Sequence, residues 1–140
     1  MYKSILLCLL FTSSAFSDPI RSTSKCFTSL DGKINVKFVE ITEPKDKVNL
    51  AYVKYEKSKK PIPLLLKSRE EEILESDRPA AVTKKWTEFI DEILNGEYTT
   101  QSQGAQIYEF IYKGKNGKEV NFNYNTEATL EDYSGCNWEK

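Results

Sequence analysis

The sequence contains no histidine, and that absence closes off more chemistry than any other feature of the chain. Histidine is the commonest general base, the usual zinc ligand and the side chain that changes charge near neutral pH. Imidazole-based triads and His-ligated metal centres are excluded with it. Calcium loops are missing too, because no Asp-x-Asp-x-Asp-Gly pattern occurs. Nor is there a glycine-rich phosphate cradle. Gly114-Lys115-Asn116-Gly117-Lys118 carries glycine and lysine, but the strand patterns on either side mark it as a hairpin tip. The chain lacks an excess of positive charge, with 20 Lys+Arg against 21 Asp+Glu, which argues against a general nucleic-acid binder. Lys54, Lys57, Lys59 and Lys60 read as a solvated turn. No linker, low-complexity tract or repeat divides the chain, so its length predicts one domain.

The first 17 residues have the three parts of a secretory signal peptide. Lys3 supplies the charge, Ile5 to Phe11 the apolar run, and Ala15 and Ser17 the small residues before a cleavage site. The apolar run falls well short of the roughly 20 residues that span a bilayer. The expectation is an exported domain of residues 18–140, periplasmic or secreted, with no membrane span after cleavage. Cys8 would leave with the signal. Removing Lys3 leaves 19 basic and 21 acidic side chains, a net charge of −2.

Two cysteines then remain, Cys26 and Cys136. In an oxidising compartment they are expected to pair, within the chain or between two chains. An intrachain bridge would tie the first element of the domain to the last and leave no thiol for nucleophilic chemistry.

Alternation of apolar and polar residues predicts strands through most of the domain. Ile34, Val36 and Phe38 share one face, Val120, Phe122 and Tyr124 another, and Tyr108, Phe110 and Tyr112 a third. Asp31-Gly32 and Asn116-Gly117 are hairpin dipeptides. Pro44–Lys47 separates the second strand from Val48–Glu56, and Ile62–Leu66 reads as a short strand. The acidic run Arg69–Glu75 reads as a surface turn or helix. Val82, Trp86, Phe89, Ile90, Ile93 and Leu94 fit one face of a helix over residues 79–94, but Trp86–Ile90 can equally turn back through Asp91-Glu92 into Ile93–Tyr98. The predicted fold is mainly β: a small antiparallel barrel or sandwich of about seven or eight strands, with or without that helix.

Carboxylate pairs such as Asp91 with Glu92, or Glu131 with Asp132, are what chance gives among so many acidic residues, so no catalytic residue is assigned. No metal or other cofactor is expected. Two features read as recognition surfaces. Asn121, Asn123 and Asn125 place three amides along one strand face. The uncharged segment 99–108, with Ser102, Gln103, Gly104, Gln106 and Tyr108, has the short, hydrogen-bonding side chains of an adaptable binding loop.

Cys26, the strands Lys33–Phe38 and Leu50–Tyr55, the run Pro63-Leu64-Leu65-Leu66 and the closing Ser134-Gly135-Cys136-Asn137 follow an order that resembles the small periplasmic inhibitors of C-type lysozymes. Ser102, Gly104 and Tyr108 partly match the Ser-x-Ser-Gly-x-x-Tyr loop of that family, though in that family the loop directly follows the leucine strand. The resemblance implies a compact antiparallel β-barrel that acts by binding a protein. The expected function is therefore a non-enzymatic binding protein, an inhibitor or immunity factor against a cell-wall hydrolase or toxin. The alternative is an envelope-accessory module that binds glycan or another subunit through a polar sheet face.

Overall fold

A computed structural model describes residues 20–43 and 48–139; the predicted leader and the Pro44–Lys47 separator lie outside these. Eight strands follow one another in chain order: β1 (Arg21–Ser29), β2 (Asn35–Glu43), β3 (Val48–Tyr55), β4 (Ile62–Glu72), β5 (Ala81–Ile90), β6 (Ile93–Gln103), β7 (Gln106–Lys113) and β8 (Glu119–Tyr124). Each pairs antiparallel with the next, and β8 returns to β1, so the sheet closes as an up-and-down barrel. The predicted antiparallel β-barrel is what the chain forms.

Both hairpin dipeptides turn the chain where expected. Gly32 and Gly117 sit at φ +72° and +80°, which a side chain would oppose. In between, alternation sends Phe27, Val36, Phe38, Val53, Leu64, Trp86, Tyr98, Phe110 and Phe122 into one core. Phe110 is its hub, with ring centroids 4.5 Å from Phe27, 5.4 Å from Phe38, and 5.5 Å from both Tyr98 and Phe122. Such pairs add about 0.5–1.5 kcal/mol each beyond the area they bury.

The structure departs from the sequence pattern in three places. Of the two readings of residues 79–94 the helix fails, and the turn back through Asp91-Glu92 is what forms, within the β5–β6 hairpin. Lys84 and Glu88 share the inward parity of Trp86, which hid the alternation. Phe89, Ile93 and Leu94 are exposed at the hairpin tip, where they imitated a helical stripe. The acidic run is likewise not a turn at its start, because β4 continues through Glu72, paired with β5 from Ser68 to Glu72. Finally, Tyr108 does not share a face with Phe110. A bulge pairs Gln101 with Glu109 and Ser102 with Ile107, leaving Tyr108 without a partner in the ladder; Ile107 is buried and Tyr108 is 51% exposed.

The seam between β1 and β8 is only three residue pairs long, Phe27 to Ser29 against Phe122 to Tyr124. Above it the C-terminal segment takes over the edge of β1. Asn125 N–H donates to the Cys26 carbonyl at 2.8 Å, and Ser24 N–H donates to the Tyr133 carbonyl at 2.9 Å. The Cys26–Cys136 disulfide fixes this strap across a sequence separation of 110 residues. On the chain-entropy account, a loop of that size stabilises by roughly 4–5 kcal/mol.

Candidate functional site

One end of the barrel is open and polar. Here the inward positions of β1, β2 and β5 hold Lys25, Glu40 and Lys84 above the buried Phe38. Together with Thr23, Thr100 and Ser102 they surround a cavity of about 240 Å³. Lys84 pairs with Glu40 and also lies over the Trp86 ring, 5.7 Å from its centroid. Lys25 has no such ion pair among the described residues, and its ammonium donates to the Ala105 carbonyl at the tip of the β6–β7 hairpin. Burial pushes the Lys25 ammonium below the ordinary lysine range, and the nearby Glu40 only partly offsets that.

The segment expected to be a binding loop is instead this hairpin, with a two-residue tip of Gly104 and Ala105. Gly104 has φ +62°, as a type II′ turn requires at its first central residue. The tip divides the candidate residues between two environments. Ser102 faces the cavity, and Gly104 borders it. Gln103, Gln106 and Tyr108 lie outside, where with Arg78 and Pro79 they form a shallow cleft. Gln103 Nε2 donates to the Pro79 carbonyl at 3.0 Å, fixing one wall. The bulge that turned Tyr108 outward therefore aims it into this cleft, a common use of bulges beside binding sites.

The asparagine stripe also divides. Asn121 and Asn123 are exposed on the outer face of β8. Asn125 is engaged instead: its amide donates to Thr28 Oγ1 at 2.9 Å and accepts from Ala128 N–H at 2.9 Å, holding the start of the C-terminal strap against β1.

The opposite end of the barrel is closed by a buried carboxylate. Glu88, 3% exposed, accepts from Tyr98 Oη at 3.0 Å, Asn95 Nδ2 at 3.0 Å, and Tyr112 Oη and Gly96 N–H, both at 3.3 Å. The β5–β6 bulge sets Asn95 and Gly96 together opposite Glu88. Gly96 suits this position, because a Cβ would collide with the Tyr112 ring. Burial raises the Tyr98 hydroxyl far above the ordinary tyrosine range, and burial and the Glu88 charge raise that of Tyr112 to about 12. These phenols stay protonated as donors. The arrangement anchors the turn end of the β5–β6 hairpin to β7 through Tyr112.

Compared with known proteins, the chain matches no family model, no curated protein and no solved structure.

Among the described residues no helix is long and apolar enough to cross a membrane. The barrel interior is aromatic, while Lys37, Lys54, Lys67 and Glu97 point outward in ion pairs. A transmembrane barrel has the reverse distribution, with a polar lumen and an apolar outer band.

The cavity residues Lys25, Glu40 and Lys84 belong to no sequence motif. A signal was nonetheless present, since Lys25 has the parity of Phe27, and Glu40 that of Val36 and Phe38. A charge on the apolar side of an amphipathic strand marks either a barrel end or a polar interior.

Proposed function

We propose that this protein is an exported, non-enzymatic binding protein that blocks a partner protein, a cell-wall hydrolase or a toxin, through the outer surface of the β6–β7 hairpin. The observation that carries this reading is the outward turn of Tyr108 beside Gln103, Gln106, Arg78 and Pro79. A half-exposed tyrosine on a rigid hairpin offers large contact area at low entropic cost, and its glutamine neighbours offer hydrogen bonds. The absence of histidine and the engagement of Cys26 and Cys136 in the disulfide favour binding over catalysis. The partial match of Ser102, Gly104 and Tyr108 to the loop of lysozyme inhibitors points to a hydrolase as the first partner class to test.

The test is complex formation with purified cell-wall hydrolases, including a C-type lysozyme, by size-exclusion chromatography and by loss of hydrolase activity. A stoichiometric complex is expected with at least one. Tyr108→Ala should weaken it by about tenfold or more while the thermal midpoint stays unchanged. Full binding by Tyr108→Ala, or no complex with any hydrolase, overturns the reading.

A second reading, a module that binds glycan or another subunit, draws on the β8 face. Asn121 and Asn123 are exposed there, and their side-chain amides make no hydrogen bond among the described residues. If this face is used, replacing both with alanine abolishes binding to peptidoglycan fragments or to the subunit and leaves the fold intact.

A further inference from the structure

We propose that the open end of the barrel binds a small amphiphilic monocarboxylate, with its carboxylate on Lys25 and its apolar part against Phe38 and Ile107.

Size limits the ligand first. The cavity of about 240 Å³ exceeds the ~150 Å³ in which an apolar cavity takes up benzene. It is smaller than the ~300–1,000 Å³ typical of sites for drug-sized molecules. A single ring or a short alkyl chain with one polar head fits that range.

The lining sets the chemistry. Phe38 and Ile107 are buried apolar side chains at the bottom and side of the cavity. Thr100, 4% exposed, accepts from Trp86 Nε1 at 3.4 Å. Its own O–H has no acceptor among the described residues and is available to donate to a ligand. A pocket with an apolar lining and a few convergent polar groups is the usual form of a small-molecule site.

Charge decides the sign. The cavity holds two ammonium groups, Lys25 and Lys84, against the one carboxylate of Glu40, which pairs with Lys84 and only partly offsets Lys25, so one positive charge is in excess. The Lys25 ammonium, hydrogen-bonded to one neutral carbonyl, has lost water without gaining a carboxylate in direct contact. A carboxylate entering the cavity supplies that contact and also accepts the Thr100 hydroxyl. A dianion would leave one charge unpaired in a partly dry site, so a single negative charge is the match.

This site does not depend on the Tyr108 surface. Lys25 and Thr100 face the cavity, whereas Tyr108 lines the outer cleft, so either proposal can fail without the other.

The test is an NMR titration of the oxidised chain with hexanoate and benzoate, against hexanamide and benzamide as neutral controls. Saturable shifts are expected at the amides of Thr23, Lys25, Thr100 and Ser102. The amides should bind about tenfold or more weakly than the acids, and Lys25→Met should lose about the same factor while Lys25→Arg retains binding. Thr100→Val removes the donor to the ligand and also the acceptor of Trp86 Nε1, so it should weaken the acids while lowering the thermal midpoint, and it carries the test if Lys25→Met does not fold. No saturable shift at these residues in millimolar carboxylate, or equal binding of acids and amides, overturns the proposal. So does unchanged affinity in both variants.

Discussion

The Lys25 ammonium on β1 donates to the Ala105 carbonyl at the tip of the β6–β7 hairpin, joining positions 80 residues apart. No ladder connects these two strands, since β1 pairs only with β2 and β8. The contact therefore pins the hairpin tip to β1, the strand on the other side of β8. Replacing Lys25 with methionine removes it while preserving the apolar stem. Amide hydrogen exchange at Ala105 and Gln106 is expected to accelerate severalfold in the variant, with exchange in the Phe110 core unchanged. Equal protection in both proteins would show that the tip is held by its own turn alone.

Glu88 is satisfied only as a carboxylate, because all four of its partners are donors. Glu88→Gln turns an NH₂ group toward those donors and should cost about 1–3 kcal/mol of stability. Urea unfolding midpoints at unchanged slope measure it, and a loss below about 0.5 kcal/mol would contradict the account. The same cluster gives an alkaline limit. Tyr98 and Tyr112 have folded-state values raised above the ordinary value. The unfolded chain therefore releases their protons first. Stability should be full below about pH 10 and fall as pH rises beyond it.

Asp91 and Glu92 form the two-residue β5–β6 turn with φ +49° and +65°. Neither residue type is the preferred occupant of both positions, and the left-handed region costs an L-residue roughly 1–2 kcal/mol. Glu92→Gly should raise stability by about 0.5–1 kcal/mol, after the added flexibility of the unfolded chain is subtracted. A lower urea midpoint in this variant would mean that Glu92 makes a contribution beyond backbone geometry.

Glu139 joins the end of the chain to the barrel wall through Lys37 Nζ at 2.6 Å and Lys54 Nζ at 3.4 Å. Partial burial raises its pKa, but the Lys37 hydrogen bond, the Cys136 N–H and the Lys54 ammonium outweigh that, so the carboxyl stays below the ordinary range. A group depressed in this way stabilises the fold above its unfolded value and loses that contribution as pH falls through its folded value. The stability difference between the parent and Glu139→Gln is expected to be complete above the ordinary carboxylate range and to shrink as pH falls through and below that range. A difference that persists at the acid end would assign the effect to packing.

What the sequence reveals of this fold follows from how local each signal is. Asp31-Gly32 and Asn116-Gly117 identify their hairpins because the dipeptide itself supplies the needed φ. Val36 and Phe38, or Phe122, identify inward faces because their neighbours are polar. The β5 strand is harder to read, since Lys84 and Glu88 point inward for reasons that exist only once the barrel has closed around them. The Tyr108 bulge is invisible for a similar reason: its extra residue is defined by pairing with β6, not by local composition. Composition did mark Ser102–Tyr108 as unusual, but it could not divide that segment between a cavity wall and an outer cleft. Export makes a Cys26–Cys136 pair the expectation, within or between chains, and the intrachain bond follows from the strap that lays Cys136 beside β1.

That strap also changes what a break in the chain can do. Every exposed turn of the barrel between Ser29 and Glu119 lies inside the loop closed by Cys26 and Cys136. A protease that cuts at Gly117, Gly32 or Asp91 therefore produces two pieces that remain one covalent molecule. The strands on either side of the cut stay at high local concentration, and the nicked protein separates only when a reductant is added. In an environment rich in proteases, the molecule is in effect a ring.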